Sequence, residues 1–311
     1  MAHEKIPAGA SSSTANSPSK SASKSASKSA RPSRGEMIGL WVLLAISFGA
    51  AFMPATIDGS LSLVIGLVPV AFALWHFVRW AGAATAWLSF AAVVIVSFFG
   101  EALGVATGLV FGNYYYPDGP LGPLLLGVPP LIQLQYFAMA YASLMLARAV
   151  SGSITRAVGG WRAVWVSAMA AFGMALLDFA SDPWHATVLG QWIWKDGGPY
   201  FGIPIQNFFG WFFETLVFLL IVQWLLARKR AVAHIETPKP RGFVVMGTLL
   251  YGTFPLAIVM LPLINTTYGA GTALTGEPLM IAQSMLLVAL FAVVPLWVAS
   301  MLALRSSRAP Q

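Results

Sequence analysis

Eight apolar stretches, each near the length needed to cross a bilayer, run through this chain: roughly 37–54, 61–78, 84–109, 127–147, 163–182, 207–227, 243–263 and 279–304. A helix rising 1.5 Å per residue needs about 20 apolar residues to cross the hydrocarbon layer. The first two stretches are short by that measure and suggest a tight hairpin around Pro54 and Asp58. Composition agrees with a lipid solvent. Hydrophobic residues make up 58% of the 311 and charged residues only 9%, where soluble domains carry about 25% charged. Mean hydropathy is +0.74. The expected fold is an all-α polytopic integral membrane bundle of about eight transmembrane helices. Large soluble multidomain architectures and DNA-reading folds are excluded.

The basic residues orient the bundle. With the N-terminus inside, six of them lie in the first 36 residues. Arg79, Arg148, Arg156, Arg162, Arg228, Lys229, Arg230, Lys239, Arg241, Arg305 and Arg308 fall in inner loops or the tail, so 17 of 18 are inside and Lys195 alone is outside. Positive charge gathers on the cytoplasmic side, so both termini are expected there. The protein is expected to be a multi-pass resident of the inner (cytoplasmic) membrane. This placement also explains the pI near 9.8 without a nucleic-acid partner. Residues 1–36, rich in Ser, Ala and Lys, are expected to form a disordered solvated tail. They are too long and polar to resemble a cleaved signal. Residues 37–304 form the membrane domain, and 305–311 a short C-terminal tail.

Cysteine is absent, which removes disulfides, thiolate metal sites and iron–sulfur clusters. Four histidines are too few for a histidine-rich di-iron centre. His76 is expected at the inner interface beside Trp75 and Trp80, and His185 at the outer end of the fifth stretch. On opposite faces they cannot share a haem. No Lys or Arg lies deep in a stretch, which argues against Schiff-base chemistry.

Four acids do lie in or at the ends of stretches: Glu101, Asp178, Asp182 and Glu214. Carboxyl groups in a membrane are costly and are functional candidates. Following the chain in and out places all four in the outer half of the bilayer. Asp178 and Asp182 are four residues apart and share a helix face, as do Asn207, Trp211 and Glu214. Glu101 sits in a Gly100, Gly104, Gly108 ladder that admits a close neighbour. Close carboxyls in a low-dielectric medium repel when both are ionised, so such a group retains a proton it can donate. That chemistry suits acid catalysis on an apolar substrate, or a proton relay in a carrier. The competing reading is that each acid separately hydrogen-bonds a neighbouring helix.

The two outer loops, 110–126 and 183–206, are dense in aromatic residues, Gly and Pro. Tyr114, Tyr115, Tyr116, Trp184, Trp192 and Trp194 are candidates for a lid over a long apolar ligand, with ring faces near a transient cation. An interfacial aromatic belt is the plainer alternative.

Three segments resemble a known family. They are Glu101-Ala-Leu-Gly-Val-Ala-Thr-Gly108 leading into Phe111-Gly-Asn-Tyr-Tyr-Tyr116; Gly127-Val-Pro-Pro-Leu-Ile-Gln-Leu-Gln-Tyr-Phe-Ala-Met-Ala-Tyr141; and Leu177-Asp-Phe-Ala-Ser-Asp-Pro183 with Gly190-Gln-Trp-Ile-Trp194 and Tyr200-Phe-Gly-Ile-Pro-Ile-Gln-Asn-Phe-Phe-Gly-Trp211. Together, over about residues 95–225, they resemble the membrane carotenoid-biosynthesis hydratases, the type that includes bisanhydrobacterioruberin hydratase and γ-carotene hydratase. Gln135-Tyr136 and His185 depart from that pattern. The resemblance implies addition of water across the terminal double bond of an acyclic (ψ) carotenoid end, giving a tertiary alcohol, with no metal, flavin or nicotinamide. It implies Asp178, Asp182, Glu101 and Glu214 as the catalytic acids and bases. Tyr114, Tyr116, Gln135, Tyr136, His185, Trp192, Trp194, Asn207 and Trp211 would hold the polyene. Partners would be the carotenoid substrate, the lipid bilayer and other membrane enzymes of the pathway. Two alternatives stay open: a membrane prenyltransferase using Asp178-Phe-Ala-Ser-Asp182 to help hold Mg²⁺ and a diphosphate, and a non-enzymatic pigment-binding protein or proton-coupled carrier.

Overall fold

The computed structural model describes residues 31–53, 64–119, 121–267 and 274–306, with backbone alone for 265–267. The hairpin expected at Pro54 and Asp58, and most of the basic tail, lie outside the described residues. Among the described residues ten α-helices follow one another: α1 Arg34–Ala50, α2 Val68–Ala81, α3 Ala83–Thr107, α4 Ile132–Val150, α5 Gly160–Asp182, α6 Ile205–Leu226, α7 Lys229–Glu236, α8 Arg241–Thr267, α9 Gly276–Val288 and α10 Val294–Ser306. A π-helical turn, Pro183–Val188, extends α5, and another, Ala289–Val293, joins α9 to α10. Two short strands, β1 Tyr114–Tyr115 and β2 Ile193–Trp194, pair antiparallel.

α1 starts three residues before its apolar stretch because a capping box secures it there. Ser33 Oγ accepts from the Glu36 amide at 3.2 Å, and Ser33 N donates to Glu36 Oε2 at 2.7 Å.

Six helical segments among the described residues are long and apolar enough to cross a membrane, where the sequence suggested eight: Val64–Ala81, Ala83–Thr107, Gly160–Val188, Ile205–Leu226, Arg241–Ile264 and Gly276–Ser306. The chain is a multi-pass membrane helix bundle. α1 falls short at 17 residues. α4 is long enough at 19 residues but is too polar. It packs against α2, α3, α5, α8 and α10 at once, and 14 of its 19 residues are buried. Its Gln133, Tyr136, Tyr141 and Ser143 side chains are buried within the protein.

The two ends of the bundle differ in chemistry. At one end, the 151–158 loop folds over the foot of α4. Trp80 Nε1 donates to Ile154 O at 2.8 Å, and Glu236 Oε1 accepts from Ala157 N at 3.4 Å. Arg79 pairs with Glu36 at 3.4 Å. Two expectations are corrected here. Arg148 is no loop charge: α4 runs on to Val150, and Arg148 is fully buried in its last turn. His76 is not interfacial either. It is fully buried, with Nδ1 at 2.6 Å from the Tyr141 hydroxyl and Nε2 donating to Phe243 O at 2.8 Å. Tertiary packing closed over both residues. The carboxyl groups lie toward the other end.

Candidate active site

Two loops shape that other end, one between α3 and α4 and one between α5 and α6. The β1–β2 ribbon clasps them together, with Tyr114 opposite Trp194 and Tyr115 opposite Ile193. Trp194 Nε1 donates to Phe111 O at 3.0 Å and Lys195 N to Asn113 O at 2.8 Å. Strand geometry then sorts three consecutive tyrosines. Tyr114 and Tyr116 turn inward and are buried, while Tyr115 faces outward under Lys195. The glycine ladder makes room for the inward pair. A Cβ on Gly104 would lie 2.9 Å from Phe111 Cδ2 and 3.3 Å from the Tyr114 ring. Space made for aromatic side chains, rather than for a second backbone, is what this part of the ladder provides.

The acid end of α5 is shaped by Pro183. Proline has no N–H, so Phe179 O loses its helical donor. The Tyr200 hydroxyl donates to that carbonyl at 3.2 Å, and the chain continues as a π-helical turn, a form frequent at functional sites. Tyr200→Phe is therefore expected to cost about 0.5–1.5 kcal/mol by removing the donor to a part-buried carbonyl. A lowered thermal midpoint in detergent, with the pigment reaction retained by the surviving fold, would confirm it.

These elements enclose a cavity of about 930 Å³. Glu101 projects from α3 into a cradle of three phenols. Tyr116 donates to Oε2 at 2.8 Å, Tyr136 to Oε1 at 2.8 Å, and Tyr114 also to Oε2. Burial first, and then the adjacent Glu101 carboxyl, hold the Tyr114 and Tyr116 phenols well above their usual range, so both stay protonated donors at neutral pH. Across the cavity, the Asn207 amide nitrogen bridges the acid pair, donating to Asp178 Oδ2 at 3.1 Å and Asp182 Oδ2 at 2.7 Å. One nitrogen serving both brings the two carboxyls within a few ångströms. Aromatic rings wall the space. Tyr136 meets Trp211 edge-on with centroids 4.5 Å apart, Trp192 stacks on His185 at 5.7 Å, and Tyr116 meets Trp192 at 6.2 Å. His185 is set in turn by Gln191, with Nδ1 at 2.9 Å from Oε1.

The structure thus brings Glu101, Asp178, Asp182, Tyr114, Tyr116, Gln135, Tyr136, His185, Trp192, Trp194, Asn207 and Trp211 to one cavity. Glu214 is not among its lining residues. It lies two turns beyond Asn207 on α6, buried, and lines a separate apolar groove between α3 and α6. Its carboxyl fills the notch left by Gly100, where any side chain would collide with Oε1, and neither oxygen has a hydrogen-bond partner. Trp184 is buried behind the cavity wall rather than in it.

Over residues 59–278 the chain matches the model of a family described as carotenoid biosynthesis proteins. The chain belongs to this family. Every residue lining the cavity, from Ile65 to Ala257, falls within the matched region. The chain is 30% identical over 135 residues to the bisanhydrobacterioruberin hydratase of Haloarcula japonica. The match covers 43% of this chain and 43% of that relative, so less than half of the relative's length is spanned. No solved structure matches.

In this carotenoid biosynthesis protein the cavity also takes in Phe111, Met139, Ser181 and Gln191. Sequence reasoning passed over them as lining residues. Met139 was recoverable, since it follows Gln135 and Tyr136 by four and three residues on the same helix face. Phe111 has no such periodic signal, because it lies in a loop. Among the described residues no group of three or more His, Cys, Asp or Glu side chains is arranged to hold a metal ion.

Proposed function

We propose that this protein hydrates a carotenoid: it adds water to the terminal double bond of an acyclic (ψ) end group and gives a tertiary alcohol. The observation that carries the reading is the convergence of three buried carboxyls and an aromatic wall on one cavity whose lining, among the described residues, contains no Lys or Arg. A prenyl diphosphate would need cations there. A polyene end with a transient carbocation needs what is present: a proton donor, ring faces and an acceptor for a proton.

The steps follow from the chemistry of the site. The Asp178–Asp182 pair holds a proton between its two carboxyls and delivers it to the terminal alkene. One C–H bond forms and the π pair is consumed, leaving a tertiary cation on the adjacent carbon. Trp211, Trp192 and Tyr136 line the cavity, and in this reading their ring faces lower the energy of that cation. Water attacks the cationic carbon, forming the C–O bond, and its surplus proton passes to Glu101, the acceptor seated in three phenols. Return of that proton to the aspartate pair closes the cycle, so alkene plus water gives alcohol with nothing oxidised or reduced. Glu214, outside the cavity, takes no step. The hydratase relative from Haloarcula japonica supports the reaction class. Linear and monocyclic carotenoids both present such an end.

The proposal includes a topology of eight crossings with both termini on the cytoplasmic side of the inner membrane. Support comes from α4, whose Tyr136 is at the carboxyl-bearing end and whose Arg148 is at the basic end, and from the ion pair that sets the start of α1 beside the end of α2.

Expression in a bacterium that accumulates lycopene or γ-carotene tests the function. The expected product is heavier by one water for each hydrated end. Unchanged pigment with both of these and with an elongated linear carotenoid, despite good membrane expression, would overturn the reading. Because the step runs on carboxyls alone, the activity of purified protein is expected to survive excess EDTA. Loss of activity restored by Mg²⁺ would favour the prenyltransferase alternative instead.

A further inference from the structure

A second cavity, of about 490 Å³, opens at the basic end of the bundle. Arg148, Arg156, Lys239 and Arg241 line it, and among the described residues no acidic side chain does. The described acids of this end are committed elsewhere: Glu36 to Arg79, and Glu236 to the Ala157 amide. Arg148 is fully buried and has no carboxylate partner among the described residues. Its Nη1 donates to Ser153 O at 3.0 Å and Arg156 O at 3.1 Å, and its Nη2 to Gln223 Oε1 at 2.8 Å. The guanidinium lies 4.9 Å from the Trp80 ring centroid. Its Nε–H has no partner among the described residues. A buried cation held only by carbonyls and a ring face has paid for desolvation without a counter-ion. The first two turns of α8 also face this space, through Arg241, Val244 and Val245. The first amides of a 27-residue helix lack helical acceptors and carry partial positive charge. Lys239, in the loop before α8, is pushed down to about 8 by burial and then by Arg79.

We propose that this cavity binds a phosphate group, presented either as free inorganic phosphate or as the phosphodiester of an anionic lipid headgroup. Arg148 forms the floor, the exposed Arg156 and Arg241 the rim, and the start of α8, the positive end of its dipole, a wall. Guanidinium forks and helix N-termini both suit a tetrahedral oxyanion. A basic pocket between helices at a membrane surface is also where headgroups lodge. The site lies at the opposite end of the bundle from the carboxyl cavity and goes beyond the proposed hydration.

Arg148 ties the 151–158 loop to the bundle, so the test uses the rim pair, Arg156→Gln with Arg241→Gln. Full-length protein stripped of lipid is offered equimolar phosphatidylglycerol and phosphatidylcholine and weighed by native mass spectrometry. In parallel its unfolding is followed in sodium phosphate and in sodium chloride at matched ionic strength. Selective retention of phosphatidylglycerol supports the site with a lipid headgroup as source. A phosphate-specific rise in Tm without lipid selectivity supports it with free phosphate as source. In either case the double variant is expected to bind about thirtyfold more weakly, at roughly 1 kcal/mol for each basic side chain. Equal retention of the two lipids together with no phosphate-specific shift would overturn the proposal. So would selective binding that the double variant leaves untouched.

Discussion

Asp182→Asn is expected to abolish water addition, lowering turnover by about 10²–10⁴-fold, the usual contribution of a positioned general acid. Asp178→Asn should do the same. Each carboxyl accepts from Asn207 in the native site, at 2.7 Å for Asp182 and 3.1 Å for Asp178. An amide oxygen can accept that same hydrogen bond, so the fold and membrane insertion are retained. What the amide lacks is a proton to transfer at neutral pH. Pigment mass spectrometry on cells expressing each variant, beside a blot of the membrane fraction, separates lost chemistry from lost protein. Full activity in both variants would place the acid elsewhere.

Glu101→Gln is the second large effect expected, of about 10²-fold or more, for loss of a general base. Glu101 is the only carboxyl of the three surrounded by phenol donors among the described residues. Gln fills the same volume but cannot take up the proton that water must shed. The cradle gives a graded control. Tyr136→Phe removes one donor to Oε1 at 2.8 Å. It is expected to cost about 1.5–3 kcal/mol, the range for a hydrogen bond to a charged group, in activity or in Tm. A Glu101→Gln variant no more impaired than Tyr136→Phe would show that Glu101 only positions its neighbours.

How far this site was legible in the sequence depended on what each residue's position required. The i,i+4 spacing of Asp178 and Asp182 was enough to pair them, because both lie on α5 and a helix face is fixed by count alone. Glu101 needed depth as well as spacing, and the direction of α3 supplied it. Glu214 shows where the method ends. It shares a face with Asn207 and Trp211, yet the cavity stops before reaching it, and Gly100 on α3 gives it a notch of its own. Whether a cavity continues along a face is decided by the neighbouring helix, which one helix's periodicity does not contain. Arg148 and His76 were misplaced for a related reason. Hydropathy ends a span at the first charge, but α4 continues to Val150 and the 151–158 loop closes over its foot. α4 itself covers most of the apolar stretch 127–147, which by length reads as one more crossing. It proved to be the buried centre of the bundle, where Tyr136, Tyr141 and Arg148 hydrogen-bond to neighbouring elements. The loop aromatics gave a composition signal for a lid. The selection among Tyr114, Tyr115 and Tyr116 came only with the β1–β2 register.

The central claim is that the oxygen of the product comes from water added across the alkene. Purified protein in liposomes loaded with lycopene, incubated in ¹⁸O-labelled water, tests it most directly. The account predicts a product heavier by one labelled water for each hydrated end, with the label in the tertiary hydroxyl and none formed by Asp182→Asn. An unlabelled hydroxyl, or bound pigment whose mass never changes, would contradict it, the second outcome pointing to a carrier or pigment-binding protein.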